Sequence, residues 1–274
     1  NSTMTHEEYL QCRALHLTVE VFHNDSIFLD LAQLLERRGV KRSQFIETIY
    51  NTIFADSPEV ARLYGEYNDE ESKNTWEKLS VLEEFVAQDG VIDRYIAGEF
   101  GTNELYKYRA LAVFGHLPAL HEIVYSSARK LLGGLGALSP ELENYLSELK
   151  DFSLLRKADV LDTTRAYRRS YHYDFPALLE RKFEAEPRDF HRPDGMEVDI
   201  LHTDQQRALI ESYIRQYTTT LIGLGRILLR ANMNRLYRTA RGVSAAGPGR
   251  AAPIPEEVLA KTDRLGGDLP AKSS

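Results

Sequence analysis

A chain of 274 residues, 43 % apolar and 27 % charged, is long enough for one large domain or two modest ones around a sizeable core. Its single cysteine, Cys12, excludes an internal disulfide, a cysteine-rich zinc site and an iron–sulfur cluster ligated by its own thiolates. The net charge of −7 is unevenly spread: residues 1–100 carry 19 acidic against 9 basic side chains, whereas 207–241 carry seven arginines against Glu211 alone.

The elements read as a string of helices. Thr5-His6-Glu7-Glu8 is a capping box, followed by an apolar stripe at Leu10, Ala14, Leu17 and Val21. Asn24-Asp25-Ser26 breaks that helix and caps a second, which stops at Gly39. Ser43 opens a third helix with Phe45, Ile46, Ile49, Ile53 and Phe54, and Pro58 opens a short fourth. A longer amphipathic helix is expected over 70–87, with Trp76, Leu79, Leu82, Phe85 and Val86 inward, then a short one over 91–97 after Gly90. Thr102 is expected to cap a long helix to about Leu132, kinked or broken before Pro118.

Gly133-Gly134-Leu135-Gly136 reads as a joint, and Ser139-Pro140 as a helix start. Helical segments are expected over 154–169 and 175–184. Between Arg188 and Thr203 the pattern changes to a small β-hairpin around Pro193-Asp194-Gly195. Thr203 or Asp204 then caps a final long helix to about Arg241. These readings give an all-α, irregular multi-helix fold with one hairpin near 188–202. The expected parts are an N-terminal subdomain over 1–132, a C-terminal subdomain over 133–241 and a disordered tail over 242–274.

No run of about 18 apolar residues occurs, so no membrane span is expected. The polar, acidic stretch from Asn1 to Tyr9 does not read as a signal peptide, and with the single cysteine it points to the cytoplasm.

Complete catalytic motifs are absent from the sequence, so no catalytic, cofactor-binding or metal-binding residue is assigned. His16, Glu20 and His23 share one helix face, and Glu20-Val21-Phe22-His23 has the Glu-x-x-His form of di-iron bundles. That chemistry needs a second such motif, which the chain lacks, so an ordinary polar face is preferred. Asn68-Asp69-x-x-Ser72 resembles the start of a terpene-cyclase metal motif. Its next acid, Glu77, falls about 100° off the required helix face, and the stretch reads instead as a turn and a cap. The glycines at 133–136 follow no strand and precede no Lys-Ser/Thr pair, which excludes a phosphate loop. His116 and His121, five apart, do not share a helix face and read as single polar residues.

Two segments combine aromatics with arginines, the residue types enriched at protein interfaces. They nominate Arg168, Arg169, Tyr171, Tyr173, Arg226, Arg230, Arg235 and Tyr237 as interface residues. The acidic whole argues against nucleic acid.

The segment Thr3-Met4-Thr5-His6-Glu7-Glu8-Tyr9-Leu10-Gln11-Cys12-Arg13, running into Leu17–Phe22, resembles the region after the radical barrel in cobalamin (B12)-binding radical SAM proteins. Gly98–Leu105 with Tyr108-Arg109-Ala110, and Tyr173–Leu178, are similar to the same region. The resemblance covers most of residues 1–241 in diffuse patterns. It implies a C-terminal helical region whose parent enzyme uses cobalamin, S-adenosylmethionine and a [4Fe–4S] cluster in an upstream B12 domain and barrel. This chain has neither the three-cysteine motif nor the Asp-x-His-x-x-Gly pattern, so no cofactor is assigned to it. The expected partners are that barrel and B12 domain, with a homodimer contact as a further expectation. Cys12 is expected to pack as a small apolar residue. Two other classes stay open: a free-standing helical interaction module docking through its Arg-rich last helix, and a helical metalloenzyme centred on Glu20 and His23.

Overall fold

Thr5 starts the first helix, α1 (His6–Val19), through a complete capping box: it accepts the Glu8 N–H at 3.2 Å while the Glu8 carboxylate accepts the Thr5 N–H at 2.7 Å. A computed structural model of the chain describes residues 4–24, 26–73, 75, 79–96 and 103–243. Ala14, Leu17 and Val21 of the stripe are fully buried. Cys12 is exposed rather than packed, because two residues before Ala14 it lies about 200° round the helix from the buried stripe.

One π-turn (Glu20–Asn24) ends α1, and α2 (Leu29–Arg37) stops at Gly39, whose φ of +83° lies in the left-handed region open to glycine. Next come α3 (Arg42–Asp56) and α4 (Pro58–Lys73). The latter is longer than the short helix expected, and it absorbs Asn68, Asp69 and Ser72, where a turn is expected from the sequence. The helix continues because Leu63, Tyr64, Tyr67 and Glu71 make a buried stripe against α1, where the Arg13 guanidinium meets the Glu71 carboxylate at 2.6 Å.

The amphipathic helix expected over 70–87 is not continuous. Its later part is α5 (Leu79–Val86), none of whose residues is buried, and Leu79 is exposed rather than inward. Trp76 and the expected cap Thr102 lie outside the described residues. The short α6 (Val91–Ile96) follows Gly90, and α7 (Glu104–Ala110) starts after Asn103.

The break expected before Pro118 is a π-turn (Leu111–Gly115), after which α8 (Leu117–Gly134) begins with the proline in its first turn. Gly136, at φ +64°, joins it to α9 (Pro140–Lys157), capped by Ser139.

Beyond α9 three expectations are corrected. The stretch expected as helix to Arg169 is a strand, β1 (Tyr167–Tyr173), in which Tyr167, Tyr171 and Tyr173 face inward at even spacings. The expected hairpin is instead one long strand, β2 (His191–Leu201), after the short α10 (Phe175–Glu180). Its pairing with β1 runs from Tyr167↔Ile200 to Tyr171↔Met196 and resumes at Tyr173↔His191. Arg192-Pro193-Asp194-Gly195 therefore forms an irregular bulge rather than the tip of a hairpin, with Gly195 at φ +71°. The final helix stops early, as α11 (Asp204–Tyr217) and α12 (Leu221–Arg230), and is followed by β3 (Thr239–Gly242) on the other edge of β2.

The result is an all-α fold carrying one small antiparallel sheet, in the order β1-β2-β3. One cluster of buried apolar residues runs from Ala14 to Tyr237 and spans the 132/133 boundary. Phe152 stacks on Phe175 at 4.7 Å, and Tyr171 meets Phe175 edge-on at 5.1 Å, which fixes α9 and α10 to the sheet. Val243 donates its N–H to the Glu197 carbonyl at 2.9 Å; the rest of the expected tail, 244–274, lies outside the described residues. Among the described residues no helix is long and apolar enough to cross a membrane.

Candidate functional site

A groove of about 1040 Å³ opens where the α3–α4 corner, the π-turn at 111–115, the start of α8 and the loop after α9 come together. Its walls are mostly apolar and include Phe114, Leu117, Ile123, Val160, Leu161 and Met233. The π-turn helps form this wall, because it ends α7 and redirects the chain at His116 before α8 begins.

Carboxylates line the rim, and each is engaged by a neighbouring base. Glu59 pairs with the His116 imidazole through Nδ1. Asp56 meets Lys130 Nζ at 2.6 Å and Glu122 meets Lys150 Nζ at 2.7 Å. Arg165 contacts Asp159 at 3.0 Å and Asp162 at 2.9 Å. Partial burial is the largest single influence on the Asp162 carboxyl and raises its pKa, but the hydrogen bonds from Thr164 and Arg165, with the Arg165 charge, together outweigh it and hold the group below its ordinary range.

Behind the groove lies a buried polar cluster. Lys157 Nζ donates to the Ile27 carbonyl, to Ser153 Oγ at 2.6 Å and to Asp30 at 3.2 Å. Its ammonium also lies 5.7 Å from the Phe28 ring centre and 5.8 Å from that of Tyr237. Burial pushes the Lys157 ammonium below the usual lysine range, with Asp30 opposing the shift. His121 Nε2 reaches Ser153 Oγ at 3.2 Å, and Nδ1 faces the Leu117 carbonyl at 2.9 Å. Burial, with Lys157 adding repulsion, lowers its pKa to about 3, so the ring is neutral at pH 7.

Arg238 holds the groove's back loop. It is fully buried, and its guanidinium donates to the carbonyls of Leu155, Ala158, Asp159, Asp162 and Arg165 at 2.6–3.2 Å. Two of these are carbonyls at the C-terminal end of α9, which the helix itself cannot satisfy. The last turn of α9 completes the clip: Arg156 Nε donates to the Arg238 carbonyl at 2.8 Å, and the Arg238 N–H donates to the Arg156 carbonyl at 3.0 Å.

The eight nominated interface residues fall into separate groups. Tyr171, Tyr173 and Tyr237 are buried in this chain's own core, with Tyr171 donating to Asp151 at 2.6 Å and Tyr173 to the Glu141 carbonyl at 3.1 Å. Arg168 pairs across the sheet with Asp199 at 2.5 Å, and Arg169 turns back on the Arg168 carbonyl at 2.9 Å. Arg226, Arg230 and Arg235 are exposed and form no ion pair among the described residues. The structure thus does not bring the eight together as one surface.

On the face shared by His16, Glu20 and His23, the glutamate is engaged within the chain. Glu20 lies 3.7 Å from His16 but 3.1 Å from Arg109, and accepts from Asn24 at 2.8 Å. Among the described residues no group of three or more His, Cys, Asp or Glu side chains is placed to hold a metal ion. Sequence reasoning missed Arg238, Lys157 and Asp30. Their only sequence trace is the four-residue spacing of Ser153 and Lys157, which puts both on one face of α9.

No protein-family model, curated protein or solved structure matches the chain.

Proposed function

We propose that this chain is the helical C-terminal region of a cobalamin-dependent radical SAM enzyme, and that its groove shapes or covers the substrate site of the parent polypeptide. The observation that carries this reading is the groove itself. It is large, mainly apolar, and rimmed by carboxylates whose charges are already taken up inside the chain. Such a recess suits holding or enclosing a molecule whose chemistry is done elsewhere.

The family resemblance supports the same reading, since the segments that carry it build one packed unit. The first supplies α1 and Glu20, and the second supplies α7, whose Arg109 pairs with Glu20 at 3.1 Å. Residues 98–102 of the second segment lie outside the described residues.

The implied [4Fe–4S] cluster does not fit this chain's own residues. A [4Fe–4S] cluster in this family needs three thiolates, and the chain offers one exposed cysteine, Cys12. The residues present therefore support no step through such a group.

The test is the coding sequence upstream of Asn1. An in-frame Cys-x-x-x-Cys-x-x-Cys motif is expected, and its absence would overturn the proposal. Titrating this chain against a separately expressed upstream barrel then separates accessory region from free-standing module. Complex formation supports the first, and indifference to the barrel supports the second.

A further inference from the structure

A second, smaller cleft of about 440 Å³ opens where β2 ends and α11 begins, and its lining residues are not those of the groove. The start of α11 forms part of its wall. Thr203 accepts the Gln206 N–H at 3.2 Å, and the Gln206 side chain accepts the Thr203 N–H at 2.9 Å. This box leaves the Asp204 and Gln205 N–H groups without a partner among the described residues, at the positive end of a 14-residue helix.

Two arginines line the same cleft, Arg207 and Arg241. On the sheet, Arg241 of β3 stands opposite Asp199, which also stands opposite Arg168 of β1. Arg168 takes both oxygens of that carboxylate, at 2.5 and 2.8 Å. Arg241 is exposed and forms no ion pair among the described residues. Arg207 has only a 3.8 Å contact with the exposed carboxylate of Asp204.

His202 distinguishes this cleft from an ordinary basic surface. It lines the cleft, yet it is 1 % exposed. Its Nε2 lies 3.0 Å from the Leu236 carbonyl and must carry the ring hydrogen to bond there, which makes Nδ1 a bare acceptor. Nδ1 is buried and has no hydrogen-bond partner. Burial, with the Arg238 and Arg207 charges, lowers the ring's pKa to about 4 against the opposing Leu236 carbonyl and Asp162, so the ring is neutral at about pH 7.

We propose that this cleft binds hydrogen phosphate, with Arg207, Arg241 and the first N–H groups of α11 on its charged oxygens and its hydroxyl donating to His202 Nδ1. Guanidinium groups and a helix N-terminus favour a phosphate-like oxyanion. The bare imidazole nitrogen favours one that still holds a hydrogen. Sulfate has none at neutral pH, and a phosphate monoester has largely lost its last one by about pH 7.5. The site does not depend on the proposed function.

Nuclear magnetic resonance of the ¹⁵N-labelled 274-residue chain tests the proposal, with inorganic phosphate added to about 20 mM at about pH 7.5 and constant ionic strength. Saturable shifts are expected at the His202 ring nitrogens and at the Asp204 and Gln205 amides. Sulfate and methyl phosphate should each bind at least about 10-fold more weakly, the cost of one lost hydrogen bond to a buried group. Arg207→Gln and Arg241→Gln should each raise the dissociation constant at least about 10-fold. Both positions are exposed, so the rest of the spectrum should be unchanged. No saturable shift with phosphate, sulfate or methyl phosphate binding as tightly, or an affinity indifferent to both arginine changes would overturn the proposal.

Discussion

Arg238 is the residue on which most of the groove's back wall depends. Five carbonyls converge on one planar guanidinium, and a lysine has a single ammonium that cannot reach them together. Arg238→Lys is expected to lower the unfolding free energy by about 3 kcal/mol, as lost hydrogen bonds to a charged group leave buried carbonyls unmet. A urea unfolding curve with an unchanged midpoint would refute the assignment. Lys157 and Asp30 offer a second residue-scale test. Lys157→Met should cost about 3–5 kcal/mol because it strands Asp30, while Asp30→Asn/Lys157→Met should cost less than the two single changes summed. A double-mutant cycle with no coupling would show that the buried pair does not act as a unit.

Two buried histidines make stability depend on pH. His121, with a pKa of about 3, lies among Lys157, Asp30 and Lys150, and His202, at about 4, lies among Arg238, Arg207 and Asp162. Burial is the main cause in both, and both pKa values sit below the ordinary histidine value of about 6.5. Between these values the unfolded chain binds protons that the folded chain refuses. The stabilisation is therefore complete above about pH 6.5 and is lost as pH falls, by at most about 1.4 kcal/mol per pH unit for each histidine. The melting temperature should fall from pH 7 to pH 5, and less steeply in His121→Asn. A melting temperature that rises on acidification would contradict this.

At the scale of elements, the joint between α11 and α12 is set by one glycine. A Cβ at Gly223 would stand 2.1 Å from the Tyr217 carbonyl oxygen and 2.6 Å from that of Thr218, both backbone atoms that cannot swing aside. Thr218 turns the chain with φ +64°, and Thr220 caps α12 by accepting the Gly223 N–H at 3.3 Å. Gly223→Ala is expected to cost about 2–3 kcal/mol through forced backbone movement, read as a lower urea midpoint. An unchanged midpoint would show that the joint is slack. The sequence contained this break as Thr218-Thr219-Thr220, three β-branched residues of low helix propensity ahead of an N-cap.

The helices whose ends carry strong chemistry were legible: Thr5 and Glu8 at the start of α1, Gly39 after α2, Ser139-Pro140 at the start of α9. The strand β1 was legible only in part. Tyr167, Tyr171 and Tyr173 share one face of a strand, but Arg169 breaks the alternation between the first two, and their four-residue spacing suits a helix equally well. Pro193-Asp194-Gly195 did signal a change of backbone direction, and the structure uses it as a bulge because β2 finds its partners at β1 and β3, far away in sequence. The groove was invisible because its walls come from four separated stretches. Arg238 looked like any other member of an arginine-rich segment, since burial is decided by packing and not by residue type.

For the whole molecule, a single apolar core joins both halves of the chain, and Arg226 and Arg230 lie exposed on the outer face of α12. The rim of the groove is neutralised internally, while α12 and α5–α6 keep their charges outward. The most direct test of the chain's role is the iron and acid-labile sulfide content of the polypeptide encoded by the complete reading frame, purified without oxygen and compared with the 274-residue chain alone. About four iron and four sulfide per longer polypeptide are expected, as for one [4Fe–4S] cluster, with neither in the shorter chain. A complete reading frame whose product binds no iron would contradict the proposed role.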